Sequence, residues 1–179
     1  MGRVRAYVSP GALLLFALLW FFDEDGLVPA ALPAVLAHEL GHLLPLLMCG
    51  VHLRRVTVTA FGVELDYRGA LRGAKALVCI GGGPLLGLVY AAVVCAVRAE
   101  FWRMSGALSF LLSVYNLLPV LPLDGGRLLA ALAGEGTARR VSQIAAPLLL
   151  VLGGWALLRW GALPALLAGA WLTIRAFRD

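Results

Sequence analysis

The sequence predicts an all-α integral membrane fold: a six-transmembrane-helix bundle with a small β-hairpin between the second and third helices. Three observations carry this. Hydrophobic residues make up 61% of the 179-residue chain and charged residues 14%, with a mean hydropathy of +0.91, against roughly 45–50% and about 25% in ordinary soluble domains. The apolar residues gather into six runs, each near the roughly 20 residues that a helix needs to cross a bilayer. One segment between the second and third runs alternates apolar and polar residues with a period of two. No linker, low-complexity tract or internal repeat divides the sequence, so residues 1–179 read as a single polytopic domain.

The first run, about 7–22, follows Arg3 and Arg5 and precedes Asp23, Glu24 and Asp25. A signal peptide has similar flanks, but no small-residue cleavage site follows and the next run starts almost at once, which favours a retained helix. The other runs cover about 26–50, 76–97, 105–133, 141–158 and 161–177, the fourth being long and interrupted by Pro119 and Pro122. Six crossings place both termini on one side. In that topology Arg3 and Arg5, the Arg54, Arg55, Arg68, Arg72 and Lys75 group, Arg139 and Arg140, and Arg175 and Arg178 all share a side, which the positive-inside rule makes cytoplasmic. The opposite side holds Asp23, Glu24, Asp25, Arg98, Glu100, Arg103 and Arg159. The net charge of +5 is therefore an orientation signal between apolar runs, and nucleic acid is not an expected partner.

The hairpin is expected over about 54–68. Val56, Val58 and Ala60 alternate on one arm and Val63, Leu65 and Tyr67 on the other, with a turn at Phe61-Gly62. A lone hairpin is marginal in water, so it is expected to lie against the bundle or dip into its mouth. Cys49, Cys79 and Cys95 sit in or at the ends of apolar runs, and an odd count without a spacing pattern gives no disulfide framework.

The chemistry lies in AHELGHLL, residues 37–44, inside the second run. His38 and His42 are one helical turn apart, within about 40° of each other, so both imidazoles can reach one metal ion. Glu39 is offset by about 100°, beside the ion and placed to take a proton from a metal-bound water. Ionisable groups inside a membrane span are costly and usually functional, and two of the chain's three histidines fall here. The alternative is a pair of histidines that only bond neighbouring helices.

A catalytic zinc takes three protein ligands and keeps an open position. Cys49 lies on the face of His42 but roughly 10 Å farther along the helix axis, too far for the same ion. His52, Glu64 and Asp66 lie outside the apolar run and read as solvated. Asp124, in NLLPVLPLDGGRLL, is a carboxylate embedded in Leu, Val and Pro. Pro119 and Pro122 break the helix before it, and Gly125 and Gly126 remove side chains after it, which frees the backbone to carry it inward. Its ordinary alternative is a helix cap. By depth His42 and Asp124 both fall in the cytoplasmic third, and the ligand reading is preferred.

Taken together, HELGH in the second run and NLLPVLPLDGGR in the fourth resemble the site-2 protease family of intramembrane zinc metalloproteases, peptidase family M50. Within it the chain resembles the six-span branch that includes stage IV sporulation protein FB, but without a CBS domain. The resemblance implies that His38, His42 and Asp124 bind one zinc ion and that Glu39 is the catalytic acid/base. It implies a membrane-embedded or membrane-associated substrate, cut near the cytoplasmic face in regulated proteolysis. A transcription-factor precursor or an anti-sigma factor is a candidate substrate, and a membrane protein a candidate regulator. One position departs: Gly87 stands where many members carry Asn three residues after a Gly-Pro, so no contact is expected from that place.

The substrate helix has to unwind to expose a carbonyl, and an edge strand of the hairpin offers a place to receive it. Asn116, a polar residue in the fourth run, is a candidate substrate-binding residue, with helix-to-helix bonding as its alternative. Gly81, Gly82, Gly83 and Gly87 read as packing positions. A zinc transporter needs polar sites through the whole membrane, whereas the polar groups here form one cluster. A non-catalytic scaffold has no need of His38, Glu39, His42 and Asp124 together.

Overall fold

The computed structural model describes residues 5–59, 62–68 and 71–178. In chain order the elements are β1 (Arg5–Val8), α1 (Pro10–Phe21), α2 (Leu27–Met48), β2 (His52–Thr59), β3 (Gly62–Arg68), α3 (Ala74–Cys95), α4 (Glu100–Asn116), α5 (Asp124–Ala133), α6 (Glu135–Trp160) and α7 (Leu163–Arg178). They group into two compact units, one of residues 1–71 and 82–113 and the other of residues 72–81 and 114–179.

In the first unit the expected hairpin is present, but it belongs to a three-stranded sheet of order β1-β2-β3. β2 and β3 pair antiparallel, with Val56 opposite Leu65 and Val58 opposite Val63. β1 lies parallel to β2, Arg5 opposite Arg55 and Val8 opposite Val58. Tyr7 and Val8 are therefore strand, which corrects the expected start of the first helical run. Four residues carry too little periodicity to reveal a partner fifty positions away. The turn expected at Phe61-Gly62 falls partly outside the described residues.

α1 begins only at Pro10. The Ser9 hydroxyl accepts a hydrogen bond from the Ala12 amide at 3.1 Å, and proline occupies the first turn, where its missing N–H is no loss. α2 starts where the Asp23 carboxylate accepts the amides of Leu27 and Val28 at 2.7 and 3.0 Å, satisfying donors that no helical carbonyl can reach. Gly41 of α2 and Gly82 of α3 meet backbone to backbone: a Cβ on either would collide with the other's carbonyl. α4 packs on α3 through Ser105, Ser109 and Ser113, all fully buried. Tyr90 Oη and Ser105 Oγ are 2.8 Å apart, and Ser109 Oγ donates to the Gly87 carbonyl at 2.9 Å, so hydroxyls bind the two helices together.

In the second unit the long fourth run breaks where the prolines require it. α4 ends at Asn116, residues 117–123 turn, and α5 starts at Asp124. Val120 and Leu123 from this turn pack with Ala146 of α6 and with Leu172 and Ala176 of α7 to form the core. The Leu121 amide donates to Ser142 Oγ at 2.8 Å, tying the turn to α6. α6 and α7 fold back on each other at Gly161, whose φ of 70° suits glycine.

Among the described residues three helices are long and apolar enough to cross a membrane, namely α2, α3 and α6. The other expected spans are shorter helices, 12 residues in α1, 17 in α4 and 16 in α7. β1 takes the start of the first run, and the prolines divide the fourth. On α1 only Ala12 is buried while Leu14 and Phe21 are 72% and 79% exposed. Such a surface suits lipid rather than water, and the chain is a membrane protein.

The helix crossing makes a direct prediction. Gly82→Val should cost about 1–3 kcal/mol or more, because the new side chain meets a rigid backbone. Gly11→Ala, which meets nothing within 4 Å, should be neutral or stabilise by up to about 1 kcal/mol. Parallel unfolding curves of the two variants check this, and equal stability would remove the crossing as a structural requirement.

Candidate metal centre

α2 presents His38 and His42 on one face, as their spacing predicts. His38 is only 5% exposed and His42 is partly covered. Their rings lie edge to face, with centroids 4.9 Å apart and planes at 80°. The two Nε2 atoms are 3.2 Å apart. Two ligands at about 2.0–2.1 Å from a tetrahedral zinc stand about 3.3 Å apart, so the pair already has the spacing that one shared ion imposes. The donor set fits zinc: borderline nitrogen donors, held on a rigid helix and sequestered from bulk water.

The His42 ring owes its place to a glycine. A Cβ at Gly83 of α3 would overlap the imidazole, so the ring lies directly on the α3 backbone. Gly83 is next to Gly82, whose crossing with Gly41 sets the approach of the two helices at this level. Gly83 was expected only to pack. It positions His42, and the signal available for this was the GGGP run in a span otherwise rich in large apolar residues. Gly87, one turn further, faces the Ser113 hydroxyl, which fills the space that a side chain at 87 would need. Glu39 follows His38 on α2 and is partly covered.

In the second unit Asp124 is the first residue of α5 and is 5% exposed. A carboxylate here is favoured by the helix N-terminus, but burial still demands partners for its charge. Arg127 Nη1 lies 3.4 Å from Oδ1, a long contact from an exposed side chain. The two glycines after Asp124 are structural necessities. A Cβ at Gly125 would strike the carbonyls of Leu117 and Leu118, and one at Gly126 would strike the backbone of Val120 and Leu121. The 117–123 turn thus doubles back onto the first turn of α5, directly after the buried Asp124. Asn116, the last residue of α4, is partly covered in the same unit. Cys49 follows the end of α2 and His52 opens β2, while Glu64 and Asp66 are exposed on β3, as expected of solvated residues.

Residues 78–158 match the family described as Peptidase family M50. A Mycobacterium tuberculosis protein named as zinc metalloprotease Rip3 is 30% identical over 178 residues, an alignment that takes in 86% of this chain and 43% of the relative. A Synechocystis protein named as zinc metalloprotease sll0528 is 29% identical over 163 residues, covering 75% of this chain and 43% of its own. The chain thus spans less than half the length of the curated relatives it matches. The solved site-2 protease of Methanocaldococcus jannaschii shares the fold, with a TM-score of 0.71 at 19% identity over 98% of this chain and 90% of that one. The matched family model and the names of the curated relatives point the same way as the HELGH helix and the LDGG turn, toward peptidase family M50, and the solved structure shows the shared fold.

Proposed function

We propose that this chain is a zinc-dependent intramembrane endopeptidase, with His38, His42 and Asp124 as the zinc ligands and Glu39 as the catalytic acid/base. The observation that carries the reading is the pair of imidazole nitrogens 3.2 Å apart within α2, a helix apolar enough to cross a membrane. Asp124 supplies the third donor: it is a buried carboxylate, and with the two histidines it makes a donor group of the composition that a metal ion takes. Bound zinc supplies Lewis acidity toward a peptide carbonyl and makes water a stronger acid. His38 and His42 hold their nitrogens in register, Gly83 backs the His42 ring, and the carboxylate of Asp124 offsets the metal's charge. Glu39 takes a proton from the attacking water and passes it to the leaving amine.

The substrate is a membrane-embedded or membrane-associated helix that must be locally extended before its carbonyl is accessible. β3, hydrogen-bonded on one side to β2, offers a sheet edge to an extended segment, and Asn116 offers an amide to its backbone. The two units act as one protease domain of the six-span branch, multi-pass in the cell membrane with both termini cytoplasmic. The arginine distribution supports that orientation. The parallel pairing of β1 with β2 supports it too, because the chain through α1 and α2 returns to where it began.

Wild-type protein should hold one zinc ion per chain. His38→Ala, His42→Ala and Asp124→Ala should lose it, and Gly83→Ala should bind it about 10–100-fold more weakly through the displaced ring. Metal analysis with a competing chelator measures this; unchanged affinity in Asp124→Ala would remove that residue from the ligand set. Glu39→Gln should keep zinc while cleavage of a single-span substrate in liposomes falls by about 10² or more. Zinc flux that needs His38 and His42, with no cleavage of any helical substrate, would replace the protease reading with transport. For the topology, an impermeant thiol reagent applied to whole cells should label a cysteine at position 24 and neither terminus; labelling of one terminus alone would refute an even number of crossings.

A further inference from the structure

In the first unit, where α3 gives way to α4, an open-sided cavity of about 710 Å³ is lined by Cys95, Arg98, Glu100, Arg103 and Met104. Cys95 closes α3, a helix long and apolar enough to cross a membrane, and Glu100 opens α4, so the cavity lies where a span ends. Phe101 and Trp102 stand beside it, both exposed, with their rings edge to face and centroids 5.1 Å apart. Aromatic rings of this kind gather at the head-group level of a bilayer. The wall carries charge of both signs. Among the described residues Arg98, Glu100 and Arg103 form no ion pair, although Glu100 and Arg103 are only one helical turn apart.

Two guanidinium groups suit phosphate oxygens, which they grip through paired N–H donors, and a carboxylate suits an ammonium group. A soluble phosphate answers only the first of these. The surface of α4 adds a further requirement. At 100° per residue Glu100, Arg103 and Met104 share a sector of about 120° with Ala107, Phe110 and Leu111, so the cavity wall runs on into an apolar stripe of the same helix face. Those last three residues are all exposed, Phe110 at 52% and Leu111 at 62%. The buried Ser105 and Ser109, which pack on α3, fall outside that sector. Phosphate on the arginines, an ammonium group at Glu100 and hydrocarbon along the stripe together describe a phospholipid with a primary amine in its head group.

We propose that this cavity binds the head group of a phosphatidylethanolamine-type lipid, with its phosphate held by Arg98 and Arg103 and its ammonium group by Glu100. The volume falls within the roughly 300–1,000 Å³ of small-ligand sites. A phosphatidylcholine head group bears the same charges, but its quaternary nitrogen has no N–H to donate to the carboxylate. A phosphatidylglycerol head group brings the phosphate alone and leaves Glu100 facing hydroxyls. Cys95 lines the same cavity and its side chain is exposed, so an occupant covers the thiol.

The test uses the full chain in nanodiscs of phosphatidylcholine, alone or with phosphatidylethanolamine or phosphatidylglycerol added. Native mass spectrometry after release should show phosphatidylethanolamine retained over either of the others by about tenfold, the scale of one added charge-assisted hydrogen bond. Glu100→Gln should bring phosphatidylethanolamine down to the level of phosphatidylglycerol. Arg98→Gln with Arg103→Gln should lose retention of both, and Arg140→Gln should change neither. Alkylation of Cys95 by N-ethylmaleimide should slow when phosphatidylethanolamine is present, while Cys49 reacts at an unchanged rate. Equal retention of the three lipids by wild type would overturn the proposal, as would undiminished retention of phosphatidylethanolamine in the double Gln variant. Phosphatidylglycerol retained above phosphatidylethanolamine would make the cavity a plain anion site and overturn it too. So would inorganic phosphate that protects Cys95 equally in pure phosphatidylcholine discs, since the ligand would then be a soluble anion. Should the double Gln variant fail to fold, a folded Glu100→Gln variant that keeps the full preference would overturn it as well.

Discussion

The contact on which the first unit depends is the meeting of Gly41 and Gly82. Helix axes ordinarily stand 8–10 Å apart because side chains keep them there. Here neither partner carries one, and the α2 and α3 backbones touch. In a lipid environment, where burying apolar side chains against one another gains little over burying them in hydrocarbon, close backbone packing is a principal source of helix association. The crossing falls beside His42, and the same glycine run supplies Gly83 as the floor beneath its ring. The structural contact and the chemical site are therefore adjacent residues of one motif. A ligand placed by backbone is held more narrowly than one placed by a flexible side chain.

The second unit solves a different problem, that of keeping a carboxylate out of water at the start of a helix. Two prolines stop α4, and the chain turns back so closely that Gly125 and Gly126 lie against the backbone of residues 117–121. Val120 and Leu123 then drop into the core formed with α6 and α7, which fixes the turn from the other side. The packing that holds the turn is apolar, while the group that follows it, Asp124, is a buried carboxylate.

Much of this was legible in the sequence, and the parts that were not share a cause. The His38/His42 pair follows from helical periodicity, a local property. The break before Asp124 follows from Pro119 and Pro122, which act on their own backbone. The β2–β3 hairpin follows from alternation on either side of a short turn. By contrast β1 is strand because of hydrogen bonds to residues 55–58, with two helices in between. The role of Gly83 is equally non-local: it is set by a ring on another helix, and a glycine does not announce which neighbour it admits. Span lengths were misjudged where hydropathy alone was used, since apolar residues in β1 and in the 117–123 turn are as greasy as those in helices.

The parallel pairing of β1 with β2 also bears on the order of events during synthesis. Arg5–Val8 is made before the groups it bonds to, which lie in residues 55–58, so β1 stays without its ladder until α1, α2 and most of β2 have been made. Ser9 is part of the same arrangement, since its amide bonds the Val58 carbonyl at 2.9 Å while its hydroxyl caps α1. α1 and α2 are therefore made before β1 has its partner, and the sheet acts as a clasp that shuts only after both helices have been laid down.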